Sequence, residues 1–246
     1  MTVRLLAGAC ALAFLTLQPV HAASTLIAGP GSYGAAATTV AEEPDLAGMV
    51  LEDRVQPFTI TGGFGGSATG SIQERVVRSN DTGTLIFAWR VNFDTIAGFD
   101  PGAYIEWLNL DPIATGNPLA VGRRSDGVGS PTSTNYDLAA MGQSRFDFNL
   151  IDLDAGNVGF GTQFHYLKTD ATNYALTGQL SLTGHEFDPQ TLTAVSLSSG
   201  WLPTWAPSAA VPEPAIWLQM ILGVGLIGAV VRRKREVGSM VRAVRV

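Results

Sequence analysis

TLIFAWRVNFD, residues 84–94, shows the clearest alternation of apolar and polar side chains in this sequence. One set of alternating positions holds only large apolar side chains: Leu85, Phe87, Trp89, Val91 and Phe93. The other set is polar at Thr84, Arg90, Asn92 and Asp94, with Ile86 and Ala88 between them. Because successive side chains of a strand point to opposite faces, the pattern predicts a β-strand with one face in a core.

A second alternating stretch lies at residues 174–183. Its predicted inward face holds Tyr174, Leu176, Leu180 and Leu182. Residues 146–153 and 160–168 alternate less regularly but are rich in the aromatic and β-branched residues that favour strands. These segments predict further strands of the same kind.

Turn signals separate the predicted strands. Asn80-Asp81-Thr82-Gly83 is typical of a turn and is predicted to join a strand at 71–79 to the strand at 84–94. No stretch of the body keeps apolar residues at helical spacing for three turns. The sequence therefore predicts an all-β fold, an antiparallel β-sandwich or jelly-roll-like body over residues 23–200.

Charge is distributed unevenly along the 246 residues. Residues 23–209 contain eight Lys and Arg against nineteen Asp and Glu, whereas six of the fifteen basic residues follow position 231. An acidic body repels phosphate backbones, so we expect no binding to nucleic acid.

The N-terminal segment has the features of a signal peptide. Arg4 provides a positive charge, residues 5–17 are apolar, and Val20-His21-Ala22 offers small residues at the cleavage positions. We therefore expect residues 1–22 to be removed. Cys10, the only cysteine, would leave with them, which excludes thiol chemistry and disulfides from the mature protein.

A second apolar segment lies near the C-terminus. Residues 215–231 carry no charge and would span roughly 26 Å as a helix, enough to cross a bilayer core. Four cations follow: Arg232, Arg233, Lys234 and Arg235. The positive-inside rule then places the body outside the cytoplasm and residues 236–246 within it as a tail. Residues 201–210 are predicted to be a linker, because Gly200, Pro203 and Pro207 interrupt a strand ladder.

The order of Val211-Pro212-Glu213-Pro214, apolar helix and basic cluster resembles the PEP-CTERM sorting signal of Gram-negative surface proteins, over residues 211–235. The resemblance implies secretion, transient retention in the inner membrane and processing by an exosortase, an integral-membrane enzyme. Pro212, Glu213 and Pro214 would be its recognition element and the four cations the stop. Family proteins are often associated with exopolysaccharide and biofilm. Residues 236–246 depart from the pattern, because the family usually ends at its basic cluster.

The body offers one candidate metal site. Asp147, Asp152, Asp154 and Asn157 are close in sequence and carry the oxygen ligands that calcium prefers. The EF-hand pattern is not met, because Gly156 and Gln163 stand at two ligand positions. A strand end followed by a solvated turn explains the same residues, and both interpretations stay open.

Other candidate chemistry in the body is weaker. Glu106 and Asp111 are a conceivable carboxylate pair for glycoside cleavage. The glycine-rich residues 61–70 lack the lysine of a phosphate-binding loop and the full pattern of a nucleophile elbow. Four tryptophans are available to stack on sugar rings or to fill a core: Trp89, Trp107, Trp201 and Trp205.

Together these features predict an exported, non-enzymatic protein of the cell surface or extracellular matrix, sorted by an exosortase-type system and associated with exopolysaccharide. No cofactor is expected beyond the candidate calcium. The alternative is a permanently membrane-anchored adhesin or carbohydrate-binding module. Whether it needs calcium to bind stays open.

Overall fold

The computed structural model describes residues 24–111, 118–132, 134–139, 144–188, 190–191 and 193–209, together with Ile221, Leu222 and Val224. The described strands are β1 (Thr25–Leu26), β2 (Gly31–Gly34), β3 (Ala36–Thr38), β4 (Met49–Thr61), β5 (Ser67–Arg78), β6 (Leu85–Ala97), β7 (Tyr104–Asp111), β8 (Pro118–Arg124), β9 (Asn135–Leu138), β10 (Ser144–Asp152), β11 (His165–Thr169), β12 (Tyr174–Phe187), β13 (Ala194–Ser198) and β14 (Leu202–Pro207). Two 3-10 helices lie at Pro44–Ala47 and Ala155–Asn157.

The strands form two seven-stranded sheets. Sheet I has the order β1-β8-β11-β6-β5-β4, with β3 beside β8, and sheet II has the order β13-β12-β7-β10-β9-β2, with β14 beside β12. Pairing is antiparallel except between β3 and β8. One apolar cluster contains side chains from both sheets, so the prediction of an all-β sandwich is confirmed.

Strand β6 lies inside sheet I and supplies much of this core. All five of its predicted inward side chains are buried. The opposite face is also covered at its start, because Ile86 and Ala88 join a smaller cluster with Leu46 of the first 3-10 helix. This smaller apolar cluster explains why Ile86 and Ala88 interrupt the alternation of apolar and polar residues in β6.

The predicted turn at residues 80–83 joins β5 to β6. The Ser79 amide donates to the Thr84 carbonyl at 2.9 Å, which closes the hairpin. Gly83 has φ of +72°, a left-handed conformation that glycine adopts without a steric penalty. The turn prediction is confirmed.

Strand β10 contains a bulge that the sequence does not reveal. Phe146 and Phe148 are buried on one side of it, and Ile151 and Leu153 on the other, so the parity of the inward positions changes between them. The register shifts between Asp147 and Ile151. Leu150 absorbs this shift with φ of +63° and a half-exposed side chain.

Strand β12 also changes register, between Ala175 and Gly178, where it pairs with β14. Leu180 and Leu182 face the core as predicted. Leu176, predicted to face inward, is 43% exposed instead. The prediction is wrong for that residue, because a bulge reverses the face on which the following side chains lie.

The predicted linker at 201–210 is largely a strand. Leu202–Pro207 forms β14, which pairs with the first half of β12. Strand β13 pairs with the second half of β12, so β13 and β14 together make one interrupted edge strand. An edge position has an open side, which is why this strand accommodates Pro203 and Pro207.

A buried polar network holds β14 against sheet I. The Thr204 hydroxyl donates to Glu74 and accepts the indole N–H of Trp89 at 3.1 Å. Arg54 pairs with the same Glu74 carboxylate and lies over the Trp205 ring. Burial raises the pKa of Glu74, although the contacts from Thr204 and Arg54 oppose that shift.

Within the ranges described above, no helix has the length and apolar character that a membrane crossing requires. Ile221, Leu222 and Val224 have helical backbone, and their side chains are exposed. The rest of the span predicted at 215–231, the signal peptide at 1–22 and the tail at 236–246 lie outside the described residues, so these elements stay predictions.

Candidate functional site: a groove on sheet II

A groove of about 770 Å³ lies on the outer face of sheet II. Strands β7, β9, β10, β12 and β13 all contribute to its lining, and Trp201 lies between β13 and β14 at its side. The volume is in the range typical of sites for ligands of several hundred daltons. These side chains face away from the core because their neighbours in each strand face into it.

Hydroxyl and amide groups line much of the groove. The Asn109 side-chain amide on β7 donates to the Thr183 hydroxyl on β12 at 2.8 Å. Ser181 lies beside this pair, and Ser196 and Ser198 extend the polar lining onto β13. Such groups donate and accept hydrogen bonds without carrying charge.

An aromatic and basic stack forms another part of the lining. The Arg145 guanidinium on β10 lies 4.5 Å from the centroid of the Trp107 ring on β7. Its Nε donates to Asp137 on β9 at 3.0 Å. His185 of β12 meets Trp107 edge to face at 6.0 Å between ring centroids. The Trp107 ring is therefore covered from two directions by neighbouring side chains.

Trp201 is the exposed aromatic of the groove, with 54% of its surface accessible. The other three predicted sugar-stacking candidates differ from it. Trp89 is buried in the core, Trp107 is covered by Arg145 and His185, and Trp205 packs between Tyr174 and Arg54. A sugar ring needs an accessible aromatic face, so the structure singles out Trp201 among the four.

The proposed carboxylate pair for glycoside cleavage is not brought together. Glu106 and Asp111 are both on β7, five residues apart, which corresponds to roughly 16 to 17 Å along the strand. Glycosidase carboxylates stand only about 5 to 9.5 Å apart. Burial and the neighbouring Asp147 carboxylate raise the pKa of Glu106, with His185 acting in the opposite direction, but Glu106 does not line the groove.

The four predicted calcium ligands fall in two places. Asp147 lies in the middle of β10, close enough to Glu106 to affect its pKa. Asp154 instead caps the second 3-10 helix by accepting the Asn157 amide at 3.1 Å, and the Asn157 side chain donates to the Asp152 carbonyl at 2.8 Å. Among the described residues, no group of three or more His, Cys, Asp or Glu could hold a metal ion.

The glycine-rich residues form the hairpin between β4 and β5. The Gly62 amide donates to the Gly66 carbonyl at 2.7 Å, and the Gly63 amide donates to the buried Glu186 at 2.8 Å. These amides are therefore already bonded within the protein.

His165 is fully buried, with Nε2 at 2.8 Å from the Thr134 hydroxyl, and burial lowers its pKa to about 3. It is therefore neutral over the physiological pH range. Its contacts are those of a hydrogen-bonded core side chain.

The predicted sorting residues Pro212, Glu213, Pro214, Arg232, Arg233, Lys234 and Arg235 lie outside the described residues. The groove residues that sequence reasoning missed are Arg145, Asp137, Asn109 and Thr183. Each occupies an outward position of an alternating strand, but their proximity depends on strand pairing across sheet II.

No protein-family model matches the chain, and the comparisons with curated proteins and with solved structures give no match either. They therefore identify neither an activity nor a sorting domain of the kind that residues 211–235 resemble.

Proposed function

We propose that this protein is exported, is sorted to the cell surface or extracellular matrix by an exosortase-type system, and binds exopolysaccharide through the groove on sheet II without cleaving it. The observation that carries the proposal is the position of Trp201, half exposed beside a lining of hydroxyl and amide side chains.

The chemistry of the groove suits a sugar chain. A sugar ring has one face of C–H groups, which packs on an aromatic ring, and a rim of hydroxyls, which needs donors and acceptors. Trp201 supplies the first kind of contact, and Asn109, Ser196 and Ser198 supply the second. A groove on an open sheet face also admits a polymer along its length.

Cleavage by Glu106 and Asp111 is disfavoured, because their separation along β7 exceeds the reach of a glycosidase pair. The delivery part of the proposal is supported by sequence alone. Residues 1–22 supply the export signal, residues 215–231 the temporary membrane span, and Pro212, Glu213 and Pro214 the element for the exosortase.

The binding proposal is tested by replacing Trp201 with alanine in the full chain, purified in detergent. Affinity electrophoresis through the exopolysaccharide of the producing cells should show about a tenfold weaker interaction, the scale of one lost stacking platform. Phe64→Ala is the matched control, because Phe64 is also exposed but lies in the β4–β5 hairpin. Equal retardation of both variants would refute a role for the groove.

The delivery proposal is tested by the intact mass of the protein recovered from its producing cells. Exosortase-type processing predicts a mature chain that lacks residues 1–22 and the cations at 232–235. A mature chain that begins at Ala23 and still ends beyond Arg235 would instead favour the permanently anchored adhesin. A chain untrimmed at both ends and recovered from cytosol would contradict export altogether.

A further inference from the structure

Charge is segregated between the two sheets. The strands of sheet I carry seven Lys and Arg against four Asp and Glu. The strands of sheet II carry one basic residue, Arg145, against six acids: Glu106, Asp111, Asp137, Asp147, Asp152 and Glu186. Only Glu186 of these six is buried, so the outer face of sheet II is markedly acidic.

The single cation on sheet II is already neutralised. Arg145 donates to Asp137 at 3.0 Å and packs on the Trp107 ring, so two of its usual modes of anion recognition are occupied within the protein. An incoming carboxylate or sulfate would have to compete with Asp137 for the charge of the guanidinium. The guanidinium is thus held in place as part of the groove wall.

The remaining charge of the groove is negative. Asp111 and Asp137 outnumber Arg145 there, and among the described residues of the lining the only other ionisable side chain is His185. A chain of uronic acids brings one negative charge per residue into this field, and like charges oppose association. Uncharged sugars meet no such barrier, and ammonium groups are attracted.

From this charge distribution we infer that the groove selects polysaccharides that lack carboxylate, sulfate and phosphate groups, that is, neutral sugars or amino sugars. This inference rests on the proposed glycan-binding role of Trp201 and adds the class of ligand. Asp137 is the specificity-determining residue, because it holds Arg145 away from acidic sugars.

The first experiment compares three glycans with the full chain in detergent: a neutral glucan, a partly deacetylated chitin oligosaccharide and alginate. The neutral and amino sugars should bind, with about tenfold weaker binding by Trp201→Ala. Alginate should bind at least about tenfold more weakly than the better of the two and gain affinity as salt screens the repulsion. Of the three glycans, only the partly deacetylated chitin oligosaccharide should bind more weakly as salt is added.

The second experiment uses Asp137→Asn, which removes one carboxylate and leaves Arg145 without its ion partner. Alginate binding should rise by about fivefold, the scale of one partly exposed ion pair, and the ratio of alginate affinity to neutral-glucan affinity should rise with it. Asp53→Asn is the matched control, because Asp53 forms a similar pair with Arg75 on sheet I. Thermal unfolding of each variant checks that the fold is retained.

The outcomes separate the two claims. If alginate binds as tightly as the neutral glucan or more tightly, and still depends on Trp201, the inference about charge is overturned while the proposed binding site is supported. An Asp137→Asn variant with unchanged alginate binding would also overturn it. If none of the three glycans binds, or if Trp201→Ala leaves their binding unchanged, the proposed function and this inference are refuted together.

Discussion

Replacing Thr204 by valine tests whether the buried polar network holds β14 on the sandwich. Valine has nearly the shape of threonine and is also β-branched, so the packing and strand preference of the site are retained. The hydroxyl is lost, and with it the hydrogen bond to Glu74 and the acceptor for the Trp89 indole. Both partners are buried, so water cannot replace the missing group.

The expected cost follows from these two bonds. A hydrogen bond to a charged group contributes about 2 kcal/mol, and an unsatisfied buried N–H costs about 1 to 2 kcal/mol. Burying a methyl group in place of the hydroxyl returns about 0.8 kcal/mol. The free energy of unfolding should therefore fall by about 2 to 3 kcal/mol, or about 5 to 10 °C in melting temperature for a body of this size.

Circular dichroism during thermal and urea unfolding measures the effect. Thr204→Ser keeps both hydrogen bonds and loses one methyl group, so it should cost only about 1 kcal/mol. Thr177→Val, at an exposed position of β12, should stay within about 0.5 kcal/mol of the parent. A valine variant at least as stable as the serine variant would show that the network contributes nothing.

Three further predictions concern other parts of the fold. Burial alone raises the pKa of Glu43, but hydrogen bonds from Lys168 and Ser24 outweigh it and lower the pKa below the ordinary 4.5. The stabilisation by ionised Glu43 is therefore complete above pH 4.5 and is lost as pH falls through the lower pKa of the folded state. Glu43→Gln should flatten the drop in melting temperature between about pH 5 and 3. An unchanged slope of melting temperature against pH would contradict this. Gly184→Ala should lower the free energy of unfolding in urea by more than about 3 kcal/mol, because the new Cβ would lie 1.9 Å from the Tyr104 carbonyl oxygen. Gly127→Ala, with open space around it, should leave the free energy of unfolding unchanged. Asp154→Ala should lower the free energy of unfolding by about 1 kcal/mol, because the Asn157 amide loses its capping acceptor. Asp154→Asn can still accept that hydrogen bond and should keep most of the parent's stability. Equal losses in the two variants would argue against capping.

Local patterns in the sequence were sufficient for the class of the fold. The alternation at residues 84–94 and the turn before it correspond directly to β6 and its hairpin, because burial of one strand face and the φ of Gly83 are local requirements. The bulges at Leu150 and beyond Ala175 were not predictable, since a bulge is defined by the residue opposite it on another strand. Strand β14 was missed because proline argues against a central strand but not against an edge.

The groove could be predicted only in part. Sequence identified Trp201 as one of four possible sugar contacts, but exposure, which distinguishes it from Trp89, depends on the packing of two sheets. The contacts of Arg145 join β10 to Asp137 on the preceding strand and to Trp107 on β7, which is more distant in sequence. Their nearness is set by register, and no local pattern records it.

The placement of β14 also has a mechanical consequence. Any tension applied to the chain beyond residue 209 reaches the sandwich first at Ser208, whose amide donates to the Asn173 carbonyl at 3.0 Å, and then at Pro207, the last residue of an edge strand. Peeling that strand from β12 requires, within three residues, rupture of the anchorage that Thr204 makes to Glu74 and Trp89. If the protein is tethered through its C-terminal segment as proposed, this anchorage stands next to the point at which the body would be pulled.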